Sequence, residues 1–377
     1  MIWELLSDYT LRNVALGAAI LGAVAGVQGC FALLRRQSLV GDTLSHATLP
    51  GICLGFLISG SRTLEPLLAG ALIFGGLAGA LVLLLTRATR LKTDAALGIA
   101  LSLFFALGIV LLSFIQGRSG AAQAGLESFL FGQAAAILPR DLWVMGIIAS
   151  VALGLMALGW KEAKLVSFDP VFARSLGIPV LAIEAALTLL IAVAVVIGLQ
   201  MVGVILMAAM LIAPAAAARQ WARSLEAMAL IAALIGAASG VIGAVISALA
   251  PGLATGPLIV LTASTATLVS ILAAPGRGIL WQVLRRRAER RRLPGRRVLE
   301  TMMRLAEDHG DPTYPAERGM LDTYHGAATR TALADLAAEG MISRVSHMPN
   351  EGEHWVLTPR GREQVETLRL ELWGQNG

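Results

Sequence analysis

Asp42 and His46 stand four residues apart in the stretch SLVGDTLSHATLPGICLGFLIS, which is otherwise built from apolar and small residues. Positions i and i+4 share one face of a helix, so a carboxylate oxygen and an imidazole nitrogen would point the same way. That pair suits a borderline divalent ion such as manganese, iron or zinc. A second reading is purely structural: Asp42 starts the helix and His46 hydrogen-bonds to it. His46 is the only histidine in the first 308 residues. Titratable groups at membrane depth are costly and usually functional, which turns the balance toward a cation path. Two ligands are too few for tight holding, and a conduit must also release its ion. Pro50 and Gly51 follow, and proline removes a backbone donor and bends a helix beside this face. Cys53 lies seven residues past His46 and reads as a bystander. Cys30 and Cys53 both read as small buried hydrophobes, with no disulfide framework or zinc-knuckle spacing.

The elements that must position such a pair follow from composition. The chain has 377 residues, 56% hydrophobic and 15% charged, with a mean hydropathy of +0.73. Soluble domains lie near ~45–50% apolar and ~25% charged, so a single water-soluble domain and intrinsic disorder are both excluded. The average conceals a division. Residues 1–276 carry 14 Lys/Arg and 11 Asp/Glu, whereas residues 277–377 carry 16 and 14. We therefore expect a transmembrane domain over 1–276, a basic juxtamembrane linker over 277–295 and a cytoplasmic domain over 296–377.

A bilayer core of about 30 Å takes ~20 helical residues. Apolar windows fall near 12–34, 38–60, 65–86, 94–115, 141–160, 180–199, 201–219, 225–250 and 254–274, which predicts about nine transmembrane helices. The separation at 199–201 is the weakest. Runs such as GAASGVIGAVISA supply the small residues that let membrane helices approach closely. The segment 116–140 is only partly apolar and reads as an external loop with a short re-entrant or interfacial helix over 126–138. The N-terminus lacks a basic region and carries Glu4 and Asp8, unlike a cleaved signal peptide. With the basic tail inside, ten Lys/Arg fall in cytoplasmic loops and four outside, which predicts an outside N-terminus and an inside C-terminus. Glu184, about one turn inside its span, is the other acid away from a span end.

An uphill transporter needs an energy source. The three lysines, Lys92, Lys161 and Lys164, do not follow glycine, so no P-loop of the G-x-x-x-x-G-K-[ST] type is present. Any ATPase must be a separate subunit. The inner loop KEAKLVSFDPVFARSLGIP, and within it 166–178, is the expected docking element. Asp169 and Pro170 read as N-cap and first-turn proline, and Gly177 with Pro179 as a stop.

Four stretches carry a resemblance to the metal-ion permease family of ABC importers, over about residues 1–275. Gly41-Asp42-Thr43-Leu44-Ser45-His46-Ala47-Thr48-Leu49-Pro50-Gly51 is similar to the family's G-D-x-x-S-H-x-x-L-P-G motif. Ser128 to Gly132 resembles its S-F-L-F-G segment. Phe168, Asp169, Pro170, Ala173, Arg174 and Gly177 fall in a stretch like its coupling-helix signature. Val202-Gly203 through Pro214-Ala215-Ala216 resembles its late V-G-x-L-L…P-A-A pattern. The resemblance implies an all-α polytopic membrane protein in a bacterial inner membrane. It also implies a homo- or hetero-dimer of permeases, two ATPase subunits inside and an extracytoplasmic metal-binding protein. Asp42 and His46 map onto the residues implicated in metal passage. No permanent cofactor is implied, only the transported ion, with manganese or iron preferred and zinc allowed.

The tail opens on Arg285–Arg287 and Arg290–Arg292, a run suited to anionic lipid. Pro294-Gly295 predicts a break. Helical patterns over 296–309 and 326–339, a hairpin from 341–346 and 354–358, and a helix from Pro359 to about Trp373 together resemble a winged-helix domain, as in iron-dependent repressors. Arg330 is the sole base expected on the candidate reading helix, with Arg344, Arg360 and Arg362 near the wing. A protein-directed regulatory role is therefore preferred to nucleic-acid binding. His309, His325, His347 and His354 are scattered, which leaves a sensory metal site open on a weak signal. Two alternatives stay open: a membrane-anchored winged-helix regulator, and a proton-coupled secondary carrier.

Overall fold

The computed structural model describes residues 9–60, 64–117, 132, 138–199, 201–249, 253–275, 278–326, 329–346 and 352–374. The chain separates into two compact units, 1–278 and 279–377.

The first unit is helical among its described residues. Its helices are α1 (Tyr9–Leu34), α2 (Val40–Ser59), α3 (Leu64–Ala88), α4 (Thr93–Gln116), α5 (Pro139–Leu158), α6 (Trp160–Phe168), α7 (Pro170–Ser175), α8 (Val180–Leu199), α9 (Val204–Trp221), α10 (Leu225–Leu249) and α11 (Thr255–Ala273). Each of the nine sequence windows holds one long helix. Seven of these helices, all but α2 and α9, are long and apolar enough to cross a membrane by length and composition. Within its 20 residues α2 carries Asp42, Thr43, Ser45, His46 and Thr48, which lower its hydropathy. The uncertain boundary near 200 is a real break, with a turn at Met201–Val202 and Gly203 at φ 85° before α9. Most of 116–140 lies outside the described residues, including Ser128–Phe131 of the quoted segment. Gly132 is described, at φ +74°, packed on the backbone of Met201–Gly203, where a side chain would collide.

Small residues set the packing. Gly22 lies against the Gly236 carbonyl, Gly26 against that of Ala232, and Gly240 against that of Ala18, which seals α1 onto α10. Gly51 and Gly70 do the same for α2 and α3. A Cβ at any of these positions would overlap backbone. Close backbone approach of this kind drives association where lipid is as apolar as the core. The outer faces remain apolar instead: Leu84, Val110 and Leu234 are each more than 60% exposed, as a lipid-facing surface requires.

The second unit runs α12 (Ile279–Asp308), β1 (Ala316–Glu317), α13 (Arg318–His325), α14 (Thr329–Ala338), β2 (Ile342–Val345), β3 (His354–Leu357) and α15 (Pro359–Gly374). The sheet order is β1-β3-β2, antiparallel, with Ile342 opposite Leu357 and Ala316 opposite Trp355. Val298, Met302, Leu321, Leu333, Leu336 and Ile342 share one core. The expected break at Pro294-Gly295 does not occur, and α12 runs through it. Gly295 sits near Leu336, and the buried Val298/Leu299/Met302 face beyond it holds the helix despite the lost donor. The sequence reading also missed β1 and α13, which are too short to show a period. Arg369 clamps Glu307 with two hydrogen bonds of 2.6 and 3.1 Å, fixing α15 to α12.

His325 supplies a pH test of this unit. Its Nε2 lies 2.8 Å from Thr301 Oγ1. Burial, reinforced by the Arg297 charge, lowers its pKa below the usual imidazole value. The folded unit therefore favours neutral His325. The associated stability is present above about pH 6.5 and is lost as pH falls through the folded pKa. Hydrogen-exchange protection of α12–α13 in the full-length protein should decline as pH drops below about 6.5, and His325→Gln should flatten that decline.

Candidate metal path and coupling segment

The polar pair lies in the first two turns of α2. Val40 follows a five-residue turn after α1, closed by Gln37 N–H to Ala32 carbonyl and Val40 N–H to Gln37 carbonyl. Arg36 takes a left-handed φ of 55° there. His46 Nε2 lies 3.4 Å from Asp42 Oδ1, with side chains 18% and 36% exposed. The i, i+4 spacing does bring the two groups together. The separation is longer than a good charge-assisted hydrogen bond, so neither group is locked to the other. His46 Nδ1 is buried and has no hydrogen-bond partner among the described residues. The imidazole is fixed instead by Phe105 of α4, edge-on at 4.7 Å between ring centroids.

The helix that carries the pair is anchored on α4 and α9. Thr43 Oγ1 donates to the Leu39 carbonyl at 2.9 Å and lies 3.3 Å from that of Leu97 on α4. Gly108 of α4 accommodates Leu49 and Pro50. Gly41 rests on Leu211 and Ala208 of α9. Helix α2 continues through Pro50. Pro50 has no N–H to give to the His46 carbonyl, so that oxygen is released from the helical ladder. No group of three or more His, Cys, Asp or Glu able to hold a metal occurs among the described residues. The pair can therefore offer one oxygen and one nitrogen to a passing ion, and not a closed cage. Cys53 is buried with Ile52 and Leu67, away from solvent.

Glu184 of α8 is paired with Arg87 of α3, with side chains 21% and 38% exposed. The ion pair offsets the cost of holding an acid in this unit. Sequence spacing could not reveal it, because the partners are 97 residues apart. Phe105 was missed for the same reason.

Between α5 and α8 the chain forms two short helices. Helix α6 is held by Glu226 of α10, which accepts from Lys164 Nζ at 2.6 Å and lies 3.4 Å from Trp160 Nε1. The Trp160 ring packs edge-on to Phe31 at 5.3 Å. Helix α7 is capped by Asp169, whose Oδ1 accepts from the N–H groups of Val171 and Phe172 at 3.1 and 2.9 Å. Pro170 takes the first turn, and Gly177 ends the segment at φ +78°. Ala173 is fully buried against Val166 and Val180, whereas Phe168, Val171, Phe172 and Leu176 are 51–72% exposed. Arg174 stands in the last turn. The segment presents an apolar outer face on a base that is rigidly tied to α8.

A polytopic helical bundle with a titratable pair inside it and a rigid external helix is the architecture of a membrane permease. Residues 7–274 match the model of the ABC 3 transport family, and the chain belongs to that family. It is the membrane component of an ABC transport system. It is 50% identical over 287 residues to the zinc transport system membrane protein TroC of Treponema pallidum, covering 76% of this chain and 96% of that protein. It is 40% identical over 363 residues to the manganese transport system membrane protein MntC of Bacillus subtilis, covering 96% of this chain and 82% of that one. Among solved structures it resembles a chain of PsaBC from Streptococcus pneumoniae in complex with Fab, at 35% identity and TM-score 0.64, over 74% of this chain and 98% of that one. The TroC match nearly exhausts that protein within 287 residues, whereas the MntC match runs on into the second unit. The second unit is thus shared by some relatives and dispensable to the shared fold.

Proposed function

We propose that this chain is the permease subunit of an ATP-driven importer for manganese or zinc, and that the ion passes between Asp42 and His46. The single observation that carries the reading is a carboxylate and an imidazole 3.4 Å apart on the one long helix crowded with polar residues inside an apolar bundle. Relatives that share the fold are named for manganese and zinc. Iron, favoured beside manganese from sequence, is not in those names, and a first unit with a single histidine and no Cys/His cluster inclines the choice to manganese.

In this reading nine helices cross a bacterial inner membrane, α2 and α9 included, with the N-terminus outside and the second unit inside. The segment from Phe168 to Gly177 docks a separate ATPase. Two permease subunits pair, and an extracytoplasmic binding protein delivers the metal. The second unit has the helix–strand–helix–helix–hairpin order of a winged helix. Its Arg318 and Arg344 are both paired with Glu353, and Asp335 is exposed on α14 beside Arg330, with Glu339 exposed just past its end. Such a surface is a poor phosphate binder, so the unit acts on protein, as a regulator of transport.

Uptake of radiolabelled manganese by cells lacking their own importer tests this. Uptake should require co-expression of an ATPase subunit. Accumulation that persists without it would replace the reading with a secondary carrier, and none under any subunit combination would leave the second unit's regulatory role as the primary one.

A further inference from the structure

Helices α3, α5 and α8 enclose a cavity of about 230 Å³, away from the Asp42/His46 pair. Leu72 of α3, Val144 of α5 and Val193 of α8 form its apolar walls, and Asp141 of α5 stands in the same lining. Met145 and Ile197 close its floor and are each 3% exposed. Ala69 and Leu72, at its edge, are exposed. The cavity therefore opens through the flank of the bundle, where the outer faces are apolar. It is smaller than the ~300–1,000 Å³ of pockets for drug-sized ligands, and its shape between three helices suits one alkyl chain.

One end of this groove is charged. Glu65 lies one turn before Ala69 and on the same face of α3, and Asp141 lies one turn before Val144 and Met145 on α5. Arg140 Nη2 donates to Glu65 Oε1 at 3.0 Å, with side chains 80% and 68% exposed. Asp141 Oδ2 accepts from the Leu138 N–H at 3.2 Å. Neither bond exhausts its groups: the guanidinium keeps further N–H donors and the Asp141 carboxylate keeps free lone pairs. Helices α3 and α5 begin at this level and α8 ends there, so it is where three spans reach the membrane boundary. Trp143, 75% exposed, stands close to that level, as tryptophans do at such boundaries. At 1.5 Å per residue, Ala69 and Leu72 lie roughly 6–11 Å deeper than Glu65. Charges of both signs above an apolar slot reproduce the order of groups in a phospholipid.

We propose that this groove is a site for one phospholipid with an ethanolamine headgroup. One acyl chain lies between α3, α5 and α8, the ammonium donates to Asp141, and the phosphate accepts from Arg140. Charge selects the headgroup. A glycerol headgroup leaves the lipid with a net negative charge opposite Glu65 and Asp141, and choline has no N–H to donate. The lipid braces helices whose other ends are already joined, since Arg87 near the end of α3 pairs with Glu184 near the start of α8. Nothing in this site depends on the ion path, and the two readings fail separately.

The test follows the melting temperature of the full-length, delipidated permease in detergent. Dioleoyl phosphatidylethanolamine, phosphatidylglycerol or phosphatidylcholine is added in turn. The ethanolamine lipid should raise the melting temperature most. Ala69→Phe fills the groove from its exposed edge and should abolish that response, and Leu72→Phe serves if the first variant does not assemble. Asp141→Asn keeps the groove. It should raise the ethanolamine lipid concentration needed for half the shift about tenfold, as loss of a charge-assisted hydrogen bond implies. Equal responses to the three lipids in the wild type would overturn the headgroup assignment, and an intact response in Ala69→Phe would overturn the site. A smaller oligomeric mass of Ala69→Phe with its lipid response unchanged would overturn it too, by making the groove an interface between chains.

Discussion

Asp42→Ala is expected to reduce manganese uptake by about 100-fold or more at unchanged expression, since loss of even an outer-shell partner of a metal ligand costs 10–100-fold. Asp42 brings a formal charge of its own to the path, and His46 the only imidazole in the first unit. Asp42→Asn should fall almost as far as alanine. It keeps the oxygen and the shape but loses the charge that attracts a dication. His46→Ala should fall less steeply, because the carboxylate still binds hard ions. The two groups act on one ion, so the double variant should be little worse than Asp42→Ala alone. Additive losses would mean that the residues serve different steps. Near-wild-type uptake by both single variants would sink the assignment.

Phe105→Ala separates positioning from ligation. The ring at 4.7 Å fixes the imidazole plane without offering a donor atom. Its loss should raise the manganese concentration needed for half-maximal uptake and leave the maximal rate closer to wild type, unlike the loss of Asp42.

Much of this arrangement is legible in the sequence, and the rest has identifiable reasons for being hidden. The pair Asp42/His46 is local, so a period of 3.6 residues suffices to find it. The cap at Asp169, the stop at Gly177 and the helix positions are local as well. Phe105, Arg87 and Glu226 became visible only through packing of α4, α3 and α10 against residues far away in sequence. Gln28 reads as an ordinary polar residue in an apolar run, and that its amide has no hydrogen-bond partner among the described residues is visible only in three dimensions. The tail shows the converse. Pro294-Gly295 is a strong local signal for a break, and the buried face from Val298 onward overrides it.

Phe172→Asp is the second large effect expected. Phe172 and Val171 stand exposed on α7, a segment flanked by Lys161, Lys164, Asp169 and Arg174, where nothing in water would favour apolar side chains. An exposed aromatic of this kind marks an anchor for a partner. Removal of one such anchor costs about 2 kcal/mol, or about 30-fold in affinity. A buried aspartate in its place costs more, so the ATPase subunit should no longer co-purify and uptake should vanish. Asp42→Ala should co-purify normally, which distinguishes an uncoupled permease from a blocked path. The opposite face of α7 is the expected route for the motion. Ala173 meets Val166 and Val180, Val180 begins α8, Glu184 of α8 holds Arg87 of α3, and Gly70 of α3 lies on Gly51 of α2. A push on α7 would thus reach the helix that bears Asp42 through three contacts between helices. Glu184→Gln breaks the second of them. It should leave the ATPase bound and hydrolysing while metal uptake drops, and hydrolysis that stays tightly coupled to uptake in Glu184→Gln would show that α8 drives α2 by another route.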